Sequence, residues 1–147
     1  MTPPSLGFDS TPLSQRPSAE HSRFVARVRR RYADVLSLLP PGVPRMAQMQ
    51  MGLAALQATG LNLPSALRVL RHLVLERLAV LDCEQGVPLN DVTHPMTELA
   101  ELALDQAYQL AVAELTELHG PPMAGEQPAQ CWIMGMGKLG ARELNVS

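Results

Sequence analysis

Apolar positions recur every three or four residues through most of this chain, with polar residues between them, which is the spacing of amphipathic helices. Phe24, Val28, Tyr32, Val35 and Leu39 form one stripe, predicting a helix capped by Ser18 and stopped by Pro40-Pro41-Gly42. A second helix is expected over residues 45–58, with Met46, Met49, Leu53 and Leu56 inward and Gly60 at its end. Asn62 before Leu63-Pro64 suits the start of a third, running to about Asp82. Its inward face is Leu67, Leu70, Val74, Leu78 and Leu81, and Arg68, Arg71, His72 and Arg77 supply its polar side. Residues 83–95 read as a linker. Residues 96–119 read as a long helix, about 36 Å at the standard rise. Its apolar positions wrap so widely that packing on more than one side is expected.

The two ends of the chain break this grammar. Residues 1–17 carry prolines and small polar residues without periodicity, so a disordered leader is expected there. Residues 121–130 read as a loop of Pro, Gly and Gln. Residues 131–134, Cys-Trp-Ile-Met, are short, apolar and bounded by loops, and predict a buried strand. A lone strand leaves its backbone donors and acceptors unpaired, so its partners are expected from beyond Ser147 or from another molecule. The organisation expected is therefore a leader (1–17), a helical region (18–130) and the start of an incomplete sheet domain (131–147). The last seventeen residues are expected to be poorly protected against hydrogen exchange.

Composition narrows the class without changing that picture. The 147 residues are 46% hydrophobic and 18% charged with only 3% aromatics, and the apolar content favours helix over sheet. A net charge of −2 gives no global pull toward nucleic acid or an anionic membrane, and no apolar run is long enough to span a bilayer. Cys83 and Cys131 lack metal-ligand spacing and read as two reduced thiols in a cytoplasmic protein, with a disulfide as the alternative.

Four clusters on the helices invite a functional reading, and each has a plainer one. The arginines at 23, 27, 29, 30 and 31 suggest a phosphate or nucleic-acid patch, but no aromatic residues interleave for stacking, and a solvated face is expected, with an Arg30–Asp34 pair within reach. The methionines of the second helix suggest an adaptable groove, but ordinary core filling is expected. His72 and Glu76 sit one turn apart like a metal pair, but without further ligands nearby a solvated contact is expected. Glu98, Glu101 and Asp105 suggest a carboxylate metal site, and the dipole at the helix N-terminus accounts for them more simply.

The chemistry-bearing stretch follows the expected strand. Gly135, Gly137 and Gly140 with Lys138 form a glycine-spaced turn before what reads as the start of a helix with charged residues. A strand-to-helix turn presents free backbone N–H groups, glycines let a ligand approach closely, and a lysine adds charge suited to a polyphosphate. Lys138 is followed by Leu139, which rules out the nucleoside-triphosphate loop G-x-x-x-x-G-K-[ST]. The dinucleotide pattern G-x-G-x-x-G matches letter for letter, but the helices before it do not supply a β-α-β setting. A dinucleotide-binding fragment is thus the weaker alternative.

Residues 133–147, IMGMGKLGARELNVS, closely resemble the nucleotidyltransferase signature of the glutamine synthetase adenylyltransferase family, which adenylylates and deadenylylates that enzyme. In that family G-M-G-K-L-G-G-x-E-L-N leads into S-D-I-D-L. The wording resembles the N-terminal, adenylyl-removing half, and residues 67–81 and 96–119 are also similar to family segments. The resemblance implies a mainly helical region leading into a polymerase β-like α/β nucleotidyltransferase domain that is truncated. It implies that Gly135, Gly137, Lys138 and Gly140 hold phosphate, with Mg2+ and ATP, ADP or phosphate as cofactors of the parent enzyme. It further implies phosphate-driven release of ADP from an adenylylated tyrosine, and glutamine synthetase and the PII nitrogen-regulatory protein as partners. The acidic pair that would bind magnesium is expected beyond Ser147, so no catalytic or metal-binding residue is assigned here and the 147 residues alone are expected to be inactive. Ala141 stands where the family has a second glycine, a loss of freedom only if that site needs positive φ. Glu143 and Asn145 fall in the motif without an assigned role. The alternative is a noncatalytic helical module that binds glutamine synthetase or a regulator.

Overall fold

The computed structural model describes residues 17–146, so the expected leader lies, except for Pro17, outside the described residues. A 3₁₀ turn, Ala19–His21, precedes α1 (Arg23–Arg31). A second 3₁₀ segment, Ala33–Leu38, leads to α2 (Met46–Ala58), and α3 (Leu63–Val80) continues into a π turn over Leu81–Gln85. The long α4 spans Asn90–His119. A two-residue antiparallel hairpin follows, β1 (Met123–Ala124) against β2 (Gln127–Pro128), and one last helical turn, α5, covers Gly137–Gly140. No helix among the described residues is long and apolar enough to cross a membrane.

The single first helix expected from the stripe is broken twice. Ser18 caps only the short 3₁₀ turn, and Ser22 caps α1 by accepting from the Val25 N–H. Tyr32, at φ −121°, then ends α1. The breaks rotate the buried positions: Val25 and Val28 face the core while Phe24 is exposed. A carboxylate distant in the chain explains the first break, since Glu84 Oε1 accepts from the Ala19 N–H at 2.9 Å and from Ser18 Oγ at 3.3 Å. Arg29, rather than Arg30, forms the ion pairs of α1, to Glu20 and Glu76.

The second and third helices follow the sequence closely. The Arg45 N–H donates to the Gln48 side chain at the start of α2, and Gly60 takes φ +92° beyond its end. Asn62 Oδ1 accepts from the Ser65 N–H at 3.0 Å, and Pro64 occupies the first turn of α3. However, α3 is the helix packed on several sides, touching α1, α2 and α4. Leu73, Val74, Leu75 and Glu76 are buried in succession, which no single stripe would allow. Around α3 lies one core that includes Leu39, Met49, Leu56, Leu70, Leu78 and Leu99.

The long helix departs most from expectation. It begins six residues before residue 96 and carries Pro95 inside it, fully buried. Proline there removes the N–H that would bond to the carbonyl of Asp91. Burial of Val92, Thr93, Met96 and Thr97 against the bundle offsets that loss, and Thr97 Oγ1 donates to the Thr93 carbonyl at 3.1 Å. Beyond Leu102 the helix buries no residue, so the expected packing on several sides is absent among the described residues.

Candidate functional site

The glycine-spaced stretch has a geometry that assigns each glycine its own reason. A Cβ on Gly140 would lie 2.5 Å from the Gly135 carbonyl oxygen, so these two residues pack backbone to backbone. Gly137 opens α5 with φ +57°, a left-handed conformation in open space. The spacing G-x-G-x-x-G thus combines a close approach between its outer glycines with a sharp reversal at the middle one.

The charged helix expected after the glycines does not form. The glycines themselves make the single turn, which closes as a Schellman motif: Glu143 N–H donates to the Lys138 carbonyl at 2.8 Å and Arg142 N–H to the Leu139 carbonyl at 3.1 Å. The left-handed position of that motif falls on Arg142, at φ +60°. An arginine there costs roughly 1–2 kcal/mol that glycine would not. Ala141 takes φ −78° and ψ −6°, an ordinary right-handed conformation, so this residue costs the turn nothing.

The strand expected at residues 131–134 is not formed in the structure. These residues adopt no regular element and make no backbone hydrogen bond among the described residues. Trp132 and Met134 are each 85% exposed. Among the described residues the one strand pair lies instead within the region read as a loop, where Gly125 at φ +66° opens a two-residue turn of the II′ kind. That signal, a glycine between short runs at 123–128, was present in the sequence.

A cleft of about 620 Å3 separates the terminal stretch from α4. Glu101, Asp105 and Tyr108 line it from the helix, and Trp132, Gly140 and Arg142 from the opposite side. Arg142 Nη2 donates to Glu101 Oε2 at 3.2 Å across the boundary. Gly135 and Gly140 both border this cleft, whereas Lys138 is exposed outside its lining. The sequence reading pointed to the glycine turn but did not pair Arg142 with Glu101, whose only signal was opposite charge far apart in sequence.

The three acids of α4 do not serve the helix dipole. They sit more than two turns from the N-terminus at Asn90, beyond the reach of that effect. Glu98 instead accepts the Met46 N–H at 2.6 Å and caps α2, and Glu101 meets Arg142. Among the described residues no three His, Cys, Asp or Glu side chains converge on a point where a metal would sit.

The His72–Glu76 contact expected at the surface is replaced by two separate environments. Glu76 is buried and accepts from Arg29 Nε at 2.7 Å, a hydrogen bond that raises the pKa of the guanidinium further. His72 stacks on Tyr32 with ring centroids 5.5 Å apart. Burial, and then the charges of Arg71 and Arg31, lower its pKa below the ordinary imidazole value. Both cysteines are free. Burial raises the Cys83 thiol, which borders an apolar cavity of about 370 Å3 with Phe24, Leu78 and Val146.

Residues 18–147 match the family model described as glutamate-ammonia ligase adenylyltransferase. A bifunctional glutamine synthetase adenylyltransferase/adenylyl-removing enzyme of Burkholderia mallei is 35% identical over 148 aligned positions, covering 93% of this chain and 16% of that protein. The protein of the same name from Aromatoleum aromaticum is 32% identical, over 98% of this chain and 16% of its own length. That of Bordetella pertussis reaches 45% identity over 55% of this chain and 9% of its own. The chain thus spans a small part of the relatives it matches, and no solved structure matches it.

Proposed function

The chain belongs to the glutamate-ammonia ligase adenylyltransferase family, and on that premise we propose that it is the part of a bifunctional enzyme that leads into its adenylyl-removing nucleotidyltransferase half. The relatives' names point to glutamine synthetase as the substrate. The observation that carries the reading is the glycine turn, with Gly135 and Gly140 in backbone contact and Gly137 left-handed. Such a turn suits phosphate: Gly137 opens it in open space with no side chain of its own over the backbone, so a ligand can approach closely there. In this reading Gly135, Gly137, Lys138 and Gly140 hold a phosphate of ADP or ATP, residues 18–130 form the helical region, and residues 131–147 begin the nucleotidyltransferase domain. The domain has the polymerase β-like fold, the protein works in the cytoplasm, and PII acts as a regulatory partner.

Magnesium does not fit the residues present. Glu98 is taken by the Met46 N–H and Glu101 by Arg142, which leaves Asp105 without the companions a hard dication needs. These acids hold no catalytic metal, and the 147 residues alone are inactive in this reading. The test adds the purified chain to adenylylated glutamine synthetase with phosphate and magnesium, and separately titrates it with ADP. ADP should shift the amide resonances of Gly137 and Gly140, with no ADP released from the substrate. Turnover would overturn the inactivity.

A second reading, a noncatalytic module that docks on glutamine synthetase or a regulator, draws on the exposed leucines of the second half of α4. Binding to glutamine synthetase with the glycine amides unmoved by ADP would favour it.

A further inference from the structure

The terminal stretch is joined to the long helix at a small number of points. Arg142 reaches Glu101 across the cleft at 3.2 Å. Arg142 is also the only non-glycine residue at positive φ among the described residues. A strained backbone of that kind persists where its surroundings hold it. Here the holds are the two Schellman hydrogen bonds, the ion pair to Glu101, and Leu144, which packs partly buried against the core. Lys138 by contrast makes no ion pair among the described residues and stands outside the cleft.

We propose that the Glu101–Arg142 pair fixes the orientation of the glycine turn on α4, making both residues positioning residues for phosphate binding at that turn. The inference rests on the reading of the turn as a phosphate holder. An exposed ion pair acting alone would do little. This pair acts on a backbone already bent at Arg142 and pinned on its other side by Leu144, so it selects one orientation of a short turn. The Glu101 carboxylate keeps the guanidinium against the helix. The backbone N–H groups of the turn are then left in a fixed register relative to the cleft, and Lys138 remains free to meet a ligand.

The test combines hydrogen exchange at the Ala141 and Glu143 amides with an ADP titration of the same chain, followed by nuclear magnetic resonance. Glu101→Gln should speed exchange at both amides about 2- to 5-fold and weaken ADP binding by a similar factor, the scale of an exposed ion pair. Arg142→Gly should do the same, although glycine relieves the left-handed backbone, and Arg142→Lys should restore part of the protection. The double variant Glu101→Arg/Arg142→Glu should recover the slow exchange of the parent chain. An unchanged thermal midpoint in each variant shows that the bundle is folded. Slower exchange in Arg142→Gly than in the parent chain would overturn the proposal, because backbone strain alone would then govern the turn. ADP binding indifferent to Glu101→Gln would also overturn it while leaving the phosphate reading intact. Exchange that depends on Glu101, with no ADP bound by any variant, would remove the phosphate reading and leave only a structural anchor.

Discussion

Between Asn90 and Leu102 the long helix buries Val92, Met96, Leu99 and Leu102 together with two threonines and a proline, whereas from Ala103 to His119 it buries nothing among the described residues. The two halves have the same apolar spacing, and Leu115 and Leu118, exposed at 55% and 74%, are as well placed on the helix as Leu99 at 5%. Helical periodicity therefore specifies which residues share a face, but a neighbouring element decides whether that face is covered. The first half has α2 and α3 beside it. It also carries the features that periodicity alone disfavours: Pro95 sits inside it, and Thr93 and Thr97 are buried, with Thr97 hydrogen-bonded to the Thr93 carbonyl.

The largest effect separates the halves by truncation. Leu99→Ala removes a buried side chain and should cost about 2–4 kcal/mol of unfolding free energy, read from urea midpoints. Leu115→Ala should stay within about 0.5 kcal/mol. Equal costs at the two sites would mean that the exposed half is covered in solution.

A smaller effect sharpens the same contrast with the acids. Glu98, whose side chain is 17% exposed, receives the first N–H of α2, so Glu98→Ala should cost about 1 kcal/mol, the usual scale for a lost helix cap. Asp105→Ala, two turns further along, has no such bond to lose and should leave the urea midpoint nearly unchanged. A Glu98→Ala midpoint equal to the parent's would show that the Met46 N–H finds water instead.

Much of the bundle was legible because its signals are local. Asn62 with Pro64, Gly60, and the spacing of Met49, Leu53 and Leu56 each act within a few residues, and each appears in the structure. What escaped the sequence depends on residues distant in the chain. Ser18 and Ala19 answer to Glu84, Arg29 to Glu76, and Glu98 to Met46, so the break before α1 and the role of the acids had no nearby signature. The early start of α4 was hidden by Pro95, a breaker that tertiary burial overrides. At the candidate site the glycines were readable as a turn, since Gly135 and Gly140 meet within five residues. The strand expected just before them was not formed, because a strand is defined by its neighbour and none of the described residues provides one.

The smallest expected effect is one of pH, and it tests whether the covered part of the molecule extends to α1. His72 lies on α3 between Tyr32 and Phe24, with the guanidinium charges of Arg71 and Arg31 near enough to oppose protonation. Its pKa in the folded chain is lowered from the ordinary 6.5, first by burial and then by those charges. The unfolded chain therefore takes up a proton at a higher pH than the folded one does. Stability from this site is fully present above the ordinary imidazole value and is lost as pH falls through the lowered, folded one. The quantity to measure is the difference between the parent chain and His72→Gln in urea midpoints at a series of pH values. That difference should move toward the variant as the solution is acidified below the ordinary imidazole pKa, and it should be level above it. A level difference throughout would mean that α1 lifts away from α3 and leaves His72 in water, as the leucines of the far half of α4 already are.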